Sequence, residues 1–218
     1  MTKEKEVLSV FTEIYNLNVC GEDPLKIYRD ISKTNVNSKV MIIAEAMAPK
    51  QVRLSGVNYF YKDGRIGSTG KYLEKFLNLF NHSVYPNHPN CVYHTEIVHN
   101  FPGYIIKNGK RNIRRPNSEE IKKSVESGIL QKEIEIIEPK LILLMGNTAY
   151  TTFYTHFLKQ KLERNLSEEI EKISLTGIYK KYKDIPVIPI QHSSGANPRF
   201  SKFLKNNNLL EIIKRVLI

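Results

Sequence analysis

KLILLMG, residues 140–146, is the stretch on which the fold turns. Leu141, Ile142, Leu143, Leu144 and Met145 follow one another without a polar residue, with Pro139 before the run and Gly146 closing it. A strand with one wet face would alternate apolar and polar side chains. An unbroken short run between breakers suits a strand covered on both faces, as in a parallel sheet packed between helices.

Working outward, the flanking segments change period. Upstream, NSEEIKKSVESGILQKEIEIIEP (117–139) places Ile121, Val125 and Ile129 on one helical face. Asn117 with Glu120 makes a capping-box start, and Pro139 ends the helix. Downstream, Ala149, Tyr150, Phe153, Tyr154, Phe157 and Leu158 give a wide buried helical face. Three further runs read as strands: Lys39 to about Ala44, CVYHTEIV (91–98) and IPVIPIQ (185–191). Pro189 lacks a ladder donor, so the last of these is expected to be short or at an edge. Helical stripes occur at Val7, Val10, Phe11, Ile14 and Tyr15, within about 4–17, and at Leu73, Phe76, Leu77 and Phe80, with Thr69 as the cap. NFPGYIIKNGKRNIRRP (100–116) reads as a turn-rich, mobile basic loop. Residues 163–184 read as a charged surface insertion, and the last segment as helical, interrupted by Asn206–Asn208. Alternating strands and helices predict an α/β fold with three layers, α/β/α, around a central four-stranded parallel sheet, in one domain over 1–218.

The chain carries 33 Lys and Arg against 22 Asp and Glu, a net charge of +11, which attracts polyanions; nucleic acid is the first expected partner. No apolar run spans a bilayer and no signal sequence opens the chain, so an intracellular, cytoplasmic and nucleoid-associated setting is expected. Cys20 and Cys91 form no C-x-x-C pair, which leaves a disulfide framework or zinc finger unsupported. No G-x-S-x-G, Walker loop or G-x-G-x-x-G is present, which counts against an α/β hydrolase or a common nucleotide fold.

In open parallel sheets ligands bind beyond the C-terminal strand ends. The strand exits are Glu45, Glu96, Gly146 and His192. PVIPIQHSSGANPRF (186–200) ends its strand in His192 and a flexible polar loop, either a plain surface turn or part of a site.

Five segments in order resemble the uracil-DNA glycosylase superfamily, especially its iron–sulfur branch: IIAEAMAP (42–49), SGVNYF with GSTGKYLEKFL, VYHTEIVHNFPG with RRPNSEEIKKSV, LQKEIEIIEPKLILLMGNTAY, and IPVIPIQHSSGANPRF. The resemblance covers roughly 20–200 and implies a four-stranded parallel sheet between helices. It also implies hydrolysis of the N-glycosidic bond to a deaminated base in DNA, uracil first, as the opening step of base excision repair. Such a base must leave the duplex for a pocket.

Carried over by position, His192 would donate to the base oxygen, and Glu45 would position or activate the attacking water. Ala46 would line the pocket, and Tyr59 or Phe60 would stack on the base. Glu96 stands where relatives have the Asn that reads uracil, and Asn197 belongs to the substrate loop. Lys110, Arg111, Arg114 and Arg115, with Ser193, Ser194 and Arg199, would contact DNA. The branch's cluster cysteines are missing near Asn100 and Gly128, so no iron–sulfur cluster or other metal is expected. DNA with an everted base is the implied partner, with no membrane and a monomeric protein. The alternative is a weak or inactive member that binds nucleic acid.

Overall fold

The protein's structure, a computed structural model, describes residues 1–20, 29–47, 55–194 and 197–218. Its strands are β1 (Val40–Ala46), β2 (Tyr93–Val98), β3 (Tyr104–Lys107), β4 (Lys110–Ile113), β5 (Leu141–Met145), β6 (Lys180–Tyr182) and β7 (Ile185–Ile190). β2, β1, β5 and β7 lie side by side in that order and run parallel, giving the expected four-stranded core. Every residue of β5 is buried, as its unbroken apolar run demands.

The helices are α1 (Lys3–Asn16), α2 (Ser68–Leu77), α3 (Ser118–Glu126), α4 (Ile129–Ile137), α5 (Asn147–Thr152), α6 (Leu166–Thr176), α7 (Pro198–Phe203) and α8 (Asn207–Leu217). They flank the sheet and bury one stripe each. α1 turns Val7, Val10, Phe11 and Ile14 inward and leaves Tyr15 exposed. α5 runs into a π-helical turn over Phe153–Phe157, where Phe153 stacks on Phe157 with ring centres 4.8 Å apart.

Three expectations are corrected. The segment 117–139 is two helices rather than one, because Gly128 takes a left-handed φ of 71° between them. The capping box at Asn117 and Glu120 is formed as its spacing implied. Residues 163–184 are no mere excursion. α6 buries Leu166, Ile170 and Ile173, and β6 adds a fifth, antiparallel strand beside β7. β6 reaches only as far as Val187, so Pro189 lies beyond its pairing, on the stretch of β7 that borders the sheet. The basic loop is an antiparallel hairpin, β3–β4, turned at Asn108 and Gly109 with φ of 54° and 69°. Two left-handed residues in succession match the twist of paired strands.

Between β1 and α2 the chain makes a tight approach. Tyr59 holds a left-handed φ of 71°, and its carbonyl accepts from the Gly67 N–H at 2.7 Å. A Cβ on Gly70 would stand 2.6 Å from the Tyr59 Cβ and 2.7 Å from Ile66 Cγ1. Gly70→Ala is therefore expected to lose roughly 1–3 kcal/mol of stability through overpacking, despite alanine's better helix propensity. Urea unfolding checks this, and a stabilised variant would refute it.

Candidate active site

The C-terminal ends of β1, β2, β5 and β7 open into a cleft of about 390 Å³, within the range of small-molecule sites. Glu45, Tyr59, Glu96 and His192 all line it, with Asn58 and His94 between them. Four of the positions singled out from sequence thus converge on one hollow. A narrower recess of about 60 Å³ lies beside it and shares Asn58, Tyr59 and His94.

Glu45 sits near the end of β1, and its Oε2 accepts a hydrogen bond from the hydroxyl of Thr148, three residues past the end of β5. The exposed Arg115 approaches the same oxygen, Nε to Oε2 being 4.0 Å. His192 follows β7 and is held on three sides. Its Nδ1 accepts the Ser194 backbone N–H at 3.2 Å. Its carbonyl accepts from Asn197 Nδ2 at 2.9 Å. Gly146 backs the ring so closely that a Cβ there would lie 3.4 Å from His192 Cδ2. A backbone N–H can only donate, so Nδ1 is unprotonated and the ring proton belongs on Nε2. Burial lowers the His192 pKa below its ordinary value, against the upward pull of Glu45 and with the help of Arg115. The imidazole is a neutral Nε2–H donor at the cleft.

Glu96 lies at the end of β2, fully buried, and is not a free carboxylate. Arg29 Nη2 contacts its Oε2 at 2.6 Å, and His94 Nδ1 is 3.3 Å from Oε1. The same guanidinium reaches Glu133 of α4 at 3.0 Å. Glu133 also accepts from Tyr93 Oη at 2.8 Å and from Thr95 Oγ1, and its Oε2 takes the His99 Nε2–H at 2.9 Å. Asn58 Nδ2 donates to His94 Nδ1 at 2.6 Å, which leaves the His94 Nε2–H buried without a hydrogen-bond partner. Burial and the Arg29 charge hold His94 down at about 3, so it is neutral. Burial pushes the Glu133 carboxyl up, but Arg29 and His99 outweigh it and hold it at about 2. Burial wins at Glu96, whose carboxyl is raised despite Arg29.

Tyr59 is set edge-on to His94, ring centres 4.7 Å apart, with its hydroxyl buried and unpartnered. Burial raises its pKa well above the usual phenol value, with Glu96 adding to the effect. Of the two aromatic candidates, Tyr59 lines the cleft. Phe60 is buried and packs edge-on against Tyr85 at 5.3 Å, so it is a core residue. Ala46 lines the cleft as expected.

Three polar assignments are corrected. Ser193 is fully buried, its hydroxyl donating to Thr69 O at 3.2 Å, and is not presented to a phosphate. Asn197 caps α7 through the Arg199 N–H while it clamps His192, so its amide positions the loop rather than reading a base. Arg114 lines the cleft but makes a bidentate pair with Glu120 at 2.8 and 2.6 Å. Lys110, Arg111, Arg115 and Arg199 are exposed, and Ser194 is half-buried. Residues 48–49 and 195–196, which belong to two of the motifs, lie outside the described residues.

The residues near the missing cluster positions do not fit an iron–sulfur group. Asn100 uses its amide to accept from Val19 N and to donate to Leu17 O, both at 3.0 Å. Cys20 and Cys91 are buried thiols, and burial pushes each up to about 12. Among the described residues no group of three His, Cys, Asp or Glu is placed to hold a metal ion, and no helix is long and apolar enough to cross a membrane.

Sequence reasoning missed Arg29, Asn58, His94, His99, Glu133 and Thr148. Glu133 carried a legible signal. It falls on the stripe Ile129, Leu130, Ile134, Ile137, where a charge needs a buried partner.

A mostly parallel α/β sheet thus brings a carboxylate from the exit of β1 and a neutral imidazole from the exit of β7, on either side of β5, to one cleft. The family model described as the uracil DNA glycosylase superfamily matches residues 31–217, and the chain belongs to that superfamily. Among curated proteins none matches the sequence.

Arg29→Met would leave two buried carboxylates to share no cation. It is expected to cost about 3–5 kcal/mol, read as a lower urea midpoint. Glu133 also sets an acid limb. Its folded pKa lies below its ordinary 4.5, so the stability it adds is present above that value and is lost as pH falls from 4.5 toward about 2. Glu133→Gln should flatten that limb in unfolding free energy measured against pH, and an unchanged slope would count against the network.

Proposed function

We propose that the protein is a monofunctional DNA glycosylase that removes a deaminated base, uracil first, from DNA. The observation that carries this is the convergence of Glu45 and the Nε2–H of His192 on one cleft of base-sized volume. Superfamily membership supports the reaction class.

Breaking the glycosidic bond sends its electron pair to the base and leaves positive character on the sugar. His192 donates its Nε2–H toward the base oxygen as negative charge develops there. A neutral donor does this without presenting a competing cation to the ground state. Glu45, oriented by Thr148, faces the cationic sugar and takes a proton from the water that adds to C1′. The products are the free base and an abasic deoxyribose. No cofactor enters these steps. Tyr59 supplies the aromatic wall for the everted base. Arg115 at the mouth, with Lys110, Arg111 and Arg199, meets the phosphates.

Glu96 bears on which base is accepted. Raised by burial and tied to Arg29, it offers the cleft a polar but not a freely ionised edge. A protonated carboxyl donates to a carbonyl such as uracil O4, where a carboxylate would repel it.

Labelled oligonucleotides holding uracil, hypoxanthine, xanthine or an intact base, followed by alkaline cleavage of abasic sites, test the reading. Uracil release is expected. Glu45→Gln and His192→Ala should each lower the single-turnover rate by roughly 10²–10⁴-fold with DNA binding retained. Binding without cleavage across the panel would instead identify a non-catalytic nucleic-acid binder. Thr148→Val should reduce the rate less than Glu45→Gln, and an unaffected rate would remove Thr148 from the site.

A further inference from the structure

The β3–β4 hairpin carries a surface that the cleft alone does not explain. Its opposed pairs are Tyr104 with Ile113, Ile105 with Asn112, Ile106 with Arg111, and Lys107 with Lys110. Opposed residues share a face, and faces alternate along each strand. Tyr104, Ile106, Arg111 and Ile113 therefore project from one side, and Arg111 lies over the Tyr104 ring at 3.8 Å as that register requires. Ile113 on this side lines the cleft, so Ile106 stands on the cleft side nearer the hairpin's tip. Ile106 is 72% exposed and Ile113 56%. Ile105, on the opposite side, is exposed as well. Ile106 and Ile113, held in water on the same face, mark a contact surface rather than scattered surface apolarity. The cations among them, Lys107, Lys110 and Arg111, select a polyanion as the partner.

We propose, resting on the glycosylase reading, that the hairpin is an apolar wedge for double-stranded DNA. Ile106 enters the base stack beside the everted nucleotide while Arg111 on the same face, with Lys107 and Lys110 at the tip, holds the backbone. Everting a base leaves a gap between its neighbours, and an apolar side chain inserted there keeps the gap from closing. The hairpin adjoins the cleft that would hold the base, and its charge is complementary to DNA. A single strand has no stack to part, so the wedge acts on duplexes alone.

Single-turnover uracil release from duplex and single-stranded oligonucleotides tests this with Ile106→Ala and Ile106→Leu. Ile106→Ala is expected to slow release from the duplex roughly tenfold and to leave the single-strand rate unchanged, with Ile106→Leu restoring the duplex rate. A second arm needs no cleavage: 2-aminopurine is placed beside a uracil whose 2′-fluorinated sugar resists hydrolysis. Its fluorescence should rise on binding wild type and rise less with Ile106→Ala. An unchanged duplex rate, or an equal loss on both strand forms, overturns the wedge. A dimer in sedimentation that Ile106→Ala dissolves, with duplex release unchanged, assigns this face to a second copy and also overturns it. A wild type that releases uracil from neither form overturns the glycosylase reading, and the fluorescence arm then decides the hairpin by itself: an equal rise in both proteins refutes it.

Discussion

The guanidinium of Arg29, shared between Glu96 and Glu133, is the constraint around which the cleft is organised. Two carboxylates cannot stay buried and ionised together without a cation between them. Arg29 supplies it, and in doing so fastens the segment before β1 to the end of β2 and to α4. The two carboxylates respond differently to the same neighbour. Glu133 collects hydrogen-bond donors from Tyr93, Thr95 and His99 as well, and is held ionised. Glu96 has fewer, and burial prevails. The wall of the cleft is thus built from a neutral His94, the Arg29-paired carboxyl of Glu96, whose pKa burial raises, and the edge of Tyr59. Such a surface suits an uncharged heterocycle.

Arg29 lies outside the residues matched by the family model, which begin at 31. The pair it makes with Glu96 accounts for a departure that was puzzling in the sequence. The glutamate near the exit of β2, where the sequence resemblance implies an amide, is met by a cation from a distant segment. Neither residue explains itself without the other.

What was legible in the sequence follows from which interactions are local. Apolar runs announced β1, β5 and β7, the segment CVYHTEIV read as β2, and parallel pairing placed the four exits at one end. That geometry makes Glu45 and His192 candidates from the sequence alone. The capping box at Asn117 was legible because three-residue spacing is all it needs. The hairpin was not, although Asn108–Gly109 is a strong turn pair, because its strands carry charges where alternation was sought. β6 hid for a related reason: its turn uses Lys183 and Asp184 at φ of 47° and 68°, without a glycine to mark it. Gly128 did mark the break between α3 and α4, but the apolar stripe on either side ran through it. The Arg29 network was illegible because its members come from four separate segments and share no spacing.

The two proposed catalytic groups come from strands that do not touch. β1 and β7 are separated by β5, and the short turn after β5 reaches both. Gly146, at a φ of 90° that only glycine adopts without strain, lets the chain pass against the His192 ring. Two residues on, Thr148 donates to Glu45. A side chain at 146 would be strained at that φ and would sit in contact with the imidazole, and a turn of other length would move the threonine out of reach. The run KLILLMG therefore does more than bury the middle of the sheet. Its apolar residues fix where β5 ends, and that end sets the spacing between His192 and Glu45, the two proposed catalytic groups.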